Sequence, residues 1–311
     1  MSSMKVAAIA QILEVDMSVA VPTNAVPAVR FNYAEVDGVR VFFREAGPAD
    51  APVLLLLHGF PTSSHMFRSL FPRLGHKYRL VAPDLPGFGF TEVPESRKYE
   101  YTFDSLAVTI GALVDALRLE RYAIYIFDYG APTGLRLALA HPEQISAIIS
   151  QNGNAYEEGL GNPWAPFKAY WKDPSPKNRD NIADEMLSMA GTRFQYTHGV
   201  EDAMDVAPET YWLDFALLER PGNREAQLSL ILDYRSNLPL YPKFQEYFRK
   251  SKPPTLAIWG KNDPFFIPPG AEAFKRDNPN ATVRFLDTGH FALETHPDEI
   301  AAGIDELMQR A

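Results

Sequence analysis

Three side chains in this sequence could carry covalent chemistry together: Asp128, Asp263 and His290. Asp128 sits in Ile124-Tyr-Ile-Phe-Asp-Tyr-Gly-Ala131, between an apolar, β-branched and aromatic run over 122–127 and a stretch, 130–141, whose small and apolar residues recur at helical spacing. A strand entering a helix this abruptly needs a tight turn, and Gly130 lets the backbones crowd there. The apex residue then stands out of the sheet edge at the mouth of a helix, the geometry of a nucleophile elbow. Such an elbow usually presents a serine; here it presents a carboxylate. A carboxylate is already ionised at neutral pH and needs no base to activate it. It is poor at amides and esters, where its attack gives an anhydride that falls back. It is better suited to displacing a leaving group from an sp3 carbon, which leaves an alkyl-enzyme ester. A histidine oriented by a second acid could then drive water onto that ester, and His290 with Asp263 are the candidates.

The elements that must position these groups follow a regular order. Residues 1–30 read as an extension. The runs 31–36 and 39–45 flank Asp37-Gly38 and predict a hairpin. The apolar runs 53–57 and 78–82 have the character of strands buried on both faces of a parallel sheet. The first leads into His58-Gly-Phe-Pro61, the second into Pro83-Asp-Leu-Pro-Gly-Phe-Gly89. A long amphipathic helix over 101–119 precedes the Asp128 strand, and a further strand over 145–150 ends at Gln151-Asn-Gly-Asn154. Strands and helices thus alternate, which argues for an α/β fold with a mostly parallel sheet. The alternation stops over 155–250, where only helices are expected: 166–172, 177–190, 208–218, 223–234 and 242–250. It resumes with 255–259, Gly260-Lys-Asn-Asp-Pro264, 270–276, 282–286, Asp287-Thr-Gly-His290 and a last helix over 297–310. A helical insertion into a sheet domain made of 31–154 and 251–311 accounts for the pattern. In open parallel sheets ligands collect at the carboxyl ends of strands. His58-Gly-Phe-Pro61, Asp128, Asp263 and His290 all fall at such ends. Singly, each has a plainer reading, as a helix cap, a loop residue or a turn former. Jointly, in the order carboxylate, acid, base, they point to a reaction centre.

Composition removes several alternatives. A formal net charge of −9 leaves no basic footprint for nucleic acid or anionic membranes. Without cysteines there is no disulfide, thiol chemistry or thiolate-held metal, and none of the seven histidines lies in HExxH-like spacing. No metal and no cofactor is expected. No apolar run has the length of a membrane span. The stretch after Lys5 imitates a signal peptide, but Gln11, Glu14 and Asp16 interrupt it, so a cytoplasmic protein is expected.

With HGFP, PDLPGFG, FDYGAPTG, WGKNDP and DTGH all in order over residues 31–311, the chain resembles the α/β-hydrolases, and the insertion over 155–250 resembles their helical cap. The aspartate places it with the branch that contains epoxide hydrolases, haloalkane dehalogenases and haloacetate dehalogenases. The resemblance implies oxyanion donors at the amides of Phe60 and Tyr129, and a small hydrophobic substrate with water as co-substrate. Haloalkane dehalogenases place a Trp directly after the aspartate, and many an Asn within the HGNP loop; here those positions hold Tyr129 and Phe60. Haloacetate dehalogenases place arginines just after the aspartate, where this chain has Tyr129 and Pro132. In epoxide hydrolases, cap tyrosines protonate the leaving oxygen. Tyr234, in Leu-Asp-Tyr-Arg, resembles one of them; the other position falls on Phe167, with Tyr170 one turn along as the substitute. Trp164, Phe167 and Trp171 are expected to line the substrate pocket. The expected activity is hydrolysis of a hydrophobic epoxide to a diol. A dehalogenase that takes halide on Trp164 or Trp171 stays open, as does a non-catalytic relative that binds a small ligand.

Overall fold

The computed structural model describes residues 27–310; most of the expected extension, residues 1–26, lies outside them. Eight strands form one sheet: β1 (Arg30–Val36), β2 (Val39–Ala46), β3 (Val53–Leu57), β4 (Arg79–Pro83), β5 (Tyr122–Phe127), β6 (Ile145–Gln151), β7 (Thr255–Gly260) and β8 (Thr282–Leu286). Their order across the sheet is β1-β2-β4-β3-β5-β6-β7-β8. The first two pairings, β1 with β2 and β2 with β4, are antiparallel and the rest are parallel. The hairpin turn at Asp37-Gly38 has φ of 51° and 69°, as a two-residue turn with the twist of its strands requires.

The alternation of side chains along β5 explains why its sequence is apolar throughout. Tyr122, Ile124 and Ile126 enter one hydrophobic cluster, with Phe103, Leu106, Ile110, Leu135 and Phe244 from helices Phe103–Ala116, Gly130–Ala140 and Tyr241–Ser251. Ala123, Tyr125 and Phe127 enter the other, with Phe67, Leu70, Ile300 and Ile304 on the opposite side of the sheet. Both faces are covered, so a strand with a polar face would leave that face unpaired in the core.

The chain runs from β3 outward to β4 and then returns to the other side of β3 to lay down β5. The direction of winding therefore reverses between β3 and β5. The carboxyl ends of strands on either side of such a reversal splay their loops apart and open a crevice. The loops that meet there carry His58-Gly-Phe-Pro61 and Asp128.

Between β6 and β7 the described chain is helical: Ala165–Lys172, Pro176–Met186, Met189–Thr197, Pro208–Leu218, Asn223–Asp233 and Tyr241–Ser251, with short 3-10 turns. The single helix expected over 177–190 is two. Leu187 leaves the helical conformation, and Ser188 starts a new helix by accepting a hydrogen bond from the Gly191 amide at 3.0 Å. These helices roof the carboxyl ends of the strands. Gln227 donates to the Gly87 carbonyl at 2.9 Å, Asp233 accepts from the Phe103 amide at 2.8 Å, and Tyr196 reaches Thr62 at 3.2 Å. Among the described residues no helix is long and apolar enough to cross a membrane.

Candidate active site

Asp128 follows β5 with φ of 47°, a left-handed conformation at the junction with helix Gly130–Ala140. An aspartate there costs backbone strain of order 1–3 kcal/mol, which the surroundings must over-determine. They do so by close approach. A Cβ at Gly130 would stand 2.1 Å from the Leu57 carbonyl oxygen, and one at Gly59 would stand 2.3 Å from Asp128 Oδ1. The two strand ends can meet only because both positions lack side chains. The result is that Oδ1 of Asp128 accepts two backbone hydrogen bonds, from Phe60 and from Tyr129, each at 2.6 Å. The second oxygen, Oδ2, faces Nε2 of His290 at 4.0 Å.

The loop that supplies the Phe60 amide is itself pinned. His58 is fully buried, and its Nε2 accepts from the Leu85 amide at 2.9 Å, so Nδ1 carries the proton and donates to the Gly59 carbonyl at 3.0 Å. Burial lowers its pKa, against the nearby Asp84 charge, which keeps this ring neutral. Asp84 in turn accepts from the amides of Ser64 and Phe90, both at 2.7 Å. Neither residue's part in this was read from the sequence, although their motifs were.

His290 is 1% exposed and lies among Phe127, Phe265, Phe266 and Phe291. Its Nδ1 is 2.6 Å from Asp263 Oδ2. A carboxylate only accepts, so the proton sits on Nδ1 and Nε2 is left free to accept one. Asp263 takes two further donors: the Asn152 amide also donates to Oδ2, at 2.8 Å, and the Phe265 N–H donates to Oδ1 at 2.8 Å. Asn152, with φ of 48°, is held in turn by the Gly260 N–H and by Gln151, and Gln151 also donates to the His290 carbonyl. Asn152 cannot act as the acid itself, since it carries an amide. Its place in the structure is to orient the acid.

The charges are coupled. Burial pushes the Asp128 carboxyl up to about 6, offset by His290 and by the amides of Phe60 and Tyr129. Burial opposes a charge on His290, but Asp263 and Asp128 outweigh it and raise its pKa above the ordinary value. At neutral pH the carboxylate is mostly ionised.

Above Asp128 the insertion supplies an aromatic chamber. Trp164 packs on Tyr234 at 4.5 Å and on Phe167 at 4.8 Å, and Trp171 stacks on Tyr234 at 5.9 Å. Tyr234 also meets Tyr129 at 5.9 Å and Phe103 at 5.6 Å. Tyr170 is not brought here. The helix Ala165–Lys172 turns Phe167 and Trp171, one turn apart, into the chamber, and Tyr170 falls on the flank. Its hydroxyl lies in the field of Arg179, Glu225 and Arg235, of which the first two form an ion pair on the outer surface. The residue that joins Tyr234 is Tyr241, which the sequence did not single out: the two hydroxyls are 3.3 Å apart, and both phenols feel the Asp128 charge.

The tryptophans have no donor to offer in the chamber. The indole of Trp164 donates to the Phe265 carbonyl at 2.9 Å, Trp171 to Ile231 at 2.7 Å and Trp259 to Phe266 at 2.6 Å. The fourth, Trp212, is 58% exposed on the surface. Among the described residues no group of His, Asp and Glu could hold a metal ion.

Known proteins share this architecture. A family model described as the alpha/beta hydrolase fold matches residues 52–297. A Saccharomyces cerevisiae protein called "Uncharacterized hydrolase YNR064C" is 50% identical over 279 residues, which is 88% of this chain and 96% of the yeast one. Haloalkane dehalogenase 2 of Mycobacterium tuberculosis is 28% identical over 271 residues, covering 82% of this chain and 87% of its own. Among solved structures, an epoxide hydrolase from Vigna radiata superposes with a TM-score of 0.71 at 24% identity, over 91% of this chain and 99% of that one.

Proposed function

The chain belongs to the α/β-hydrolase fold family, a hydrolase fold with relatives among both dehalogenases and epoxide hydrolases; from the way this member is equipped we propose that it hydrolyses a small hydrophobic epoxide to a diol. The observation that carries the choice is the set of free donors. Every buried indole N–H is spent on a backbone carbonyl, while two phenolic hydroxyls lie together beside Asp128. A halide leaves as a stable anion and needs only weak N–H donors. An opened epoxide leaves as an alkoxide and needs a proton, and burial keeps the Tyr234 hydroxyl protonated.

The geometry supports the following steps. Oδ2 of Asp128 attacks a ring carbon; the C–O bond breaks toward the ring oxygen, which takes the Tyr234 proton. The ester carbonyl is then Oδ1, already held by the amides of Phe60 and Tyr129. Water enters beside Nε2 of His290, gives it a proton and attacks the Asp128 Cγ. The tetrahedral oxyanion develops on Oδ1, where the two amides point. Collapse expels the second alkoxide, which takes the proton back from His290. The proton left on the regenerated carboxyl returns to Tyr234 through solvent. Forming the ester also removes the Asp128 charge that helped raise the His290 pKa, so the imidazole holds a proton less readily and is free to take one when water must be activated.

The test is to offer the protein styrene oxide, a bromoalkane and a haloacetate while following diol and halide, and to incubate His290→Gln with each and weigh the protein. Diol release and an adduct on Asp128 are expected with the epoxide. Halide release without diol would instead make it a dehalogenase, and no adduct with any electrophile would leave a ligand-binding relative.

A further inference from the structure

We infer that Tyr241 is a positioning residue that fixes the direction of the Tyr234 proton; this rests on the epoxide reading. The argument is one of hydrogen-bond polarity. Asn154, at the turn after β6, has its amide fixed by the backbone of Tyr156, to whose carbonyl Nδ2 donates at 2.7 Å and from whose N–H Oδ1 accepts at 3.2 Å. The backbone offers one acceptor and one donor, so the amide has a single satisfied orientation. The approach of Gly159 and Gly270 to Oδ1 holds it there, since a Cβ on either would lie 2.2 Å or 2.8 Å from that oxygen. Nδ2 then also faces the Tyr241 hydroxyl at 3.5 Å.

An amide N–H only donates, so the Tyr241 oxygen accepts. Its own proton is left for the neighbour at 3.3 Å, the oxygen of Tyr234. With its oxygen occupied in this way, Tyr234 turns its proton into the chamber enclosed by Tyr129, Phe103 and Trp164. Both hydroxyls are on buried residues. When the epoxide C–O bond breaks and its oxygen takes the Tyr234 proton, the negative charge that appears on Tyr234 is met by the Tyr241 O–H. A hydrogen bond to a charged group is stronger than one to a neutral group, so Tyr241 favours the ring-opening transition state over the resting state. Hydrolysis of the ester, which depends on His290, gains nothing from it.

The experiment is single-turnover kinetics with styrene oxide on the wild type, Tyr241→Phe, Tyr234→Phe and the double variant, reading ester formation and ester hydrolysis separately. Tyr241→Phe keeps the ring and is expected to slow ester formation about 10- to 100-fold while hydrolysis stays unchanged. The double variant should match Tyr234→Phe, because without Tyr234 there is no proton to direct. Losses that multiply in the double variant, or a fall of both steps in proportion, would overturn the inference. If the wild type and His290→Gln form no ester with an epoxide, the function itself has been misassigned and the relay falls with it; if ester forms but the losses multiply, only the relay falls.

Discussion

Replacing Asp263 with asparagine should separate the two halves of the proposed cycle. Every group that faces this carboxylate is a donor: His290 Nδ1–H at 2.6 Å and the Asn152 amide at 2.8 Å on Oδ2, and the Phe265 N–H at 2.8 Å on Oδ1. Asparagine has one oxygen and one NH2, so one side must turn N–H against a donor. If the NH2 faces Phe265, a backbone donor is left buried and unpaired. If it faces His290, the imidazole must move its proton to Nε2, on the side of Asp128 Oδ2 at 4.0 Å. Either arrangement costs about 1–3 kcal/mol of stability, and the second leaves a ring that cannot accept a proton from water. Losing Asp263 also removes the strongest influence that raises the His290 pKa. In the Ser-His-Asp triad the same change costs about 10⁴ in turnover, and a loss of that size is expected here on ester hydrolysis. The attack by Asp128 needs no base, and Asp263 raises its pKa, so ester formation should stay within about tenfold of wild type. Rapid quench with intact-protein mass spectrometry is the assay: nearly every molecule should carry the adduct after one turnover, followed by slow diol release. Diol turnover within tenfold of wild type, or ester formation that drops in step with hydrolysis, would refute the reasoning.

Three further outcomes are expected. Gly59→Ala would drive a Cβ to within 2.3 Å of Asp128 Oδ1 and 2.5 Å of the Tyr129 nitrogen; ester formation should fall about 100-fold or more, and an unchanged rate would show that the two loops are not fixed against each other. Ester formation should rise with pH through about 6 and then level, as Asp128 ionises; because His290 lowers that value, the midpoint in His290→Gln should move up, and a downward shift would contradict the coupling. Asp214, buried under the roof against Tyr196, is pushed up to about 8, chiefly by burial. It binds its proton more tightly folded than unfolded, so stability is lost as pH rises from about 4 to about 8. Asp214→Asn should flatten that dependence and gain on the order of 3–5 kcal/mol at most above pH 8, measured as urea midpoints at pH 5, 7 and 9; parallel wild-type and variant curves would contradict it.

What could be read from the sequence was what leaves a linear trace. The strands were legible because a strand covered on both faces, such as Tyr122–Phe127, has no polar position to interrupt it. Asp128 was legible because it directly follows such a run, and Asp263 and His290 because each lies within four residues of the end of a strand, Thr255–Gly260 and Thr282–Leu286. Tyr170 was misplaced because the phase of a helix against its neighbours is a tertiary quantity. Trp164, Phe167 and Trp171 claim the inner face of Ala165–Lys172, and that decides against Tyr170. Tyr241 left no trace, since it meets Tyr234 only through two 3-10 turns that bring the chain back on itself. The break at Ser188 could have been found, since a serine directly before the apolar Met189 is an ordinary cap signal.

Asn152 precedes Gly153, and an asparagine before glycine is the pairing whose side chain is most readily lost by cyclisation onto the following backbone nitrogen. In the folded chain that amide is tied to Asp263, Gly260 and Gln151, and the Gly153 carbonyl is fixed by Ser150. Cyclisation therefore has to wait for an excursion in which the strand end comes loose. Each excursion then carries a risk of permanent damage, because a carboxylate at position 152 would stand where an N–H now donates to Asp263 at 2.8 Å, and two like charges so close and so buried resist refolding. Aged samples should therefore lose activity in proportion to a one-dalton gain on the peptide that holds Asn152.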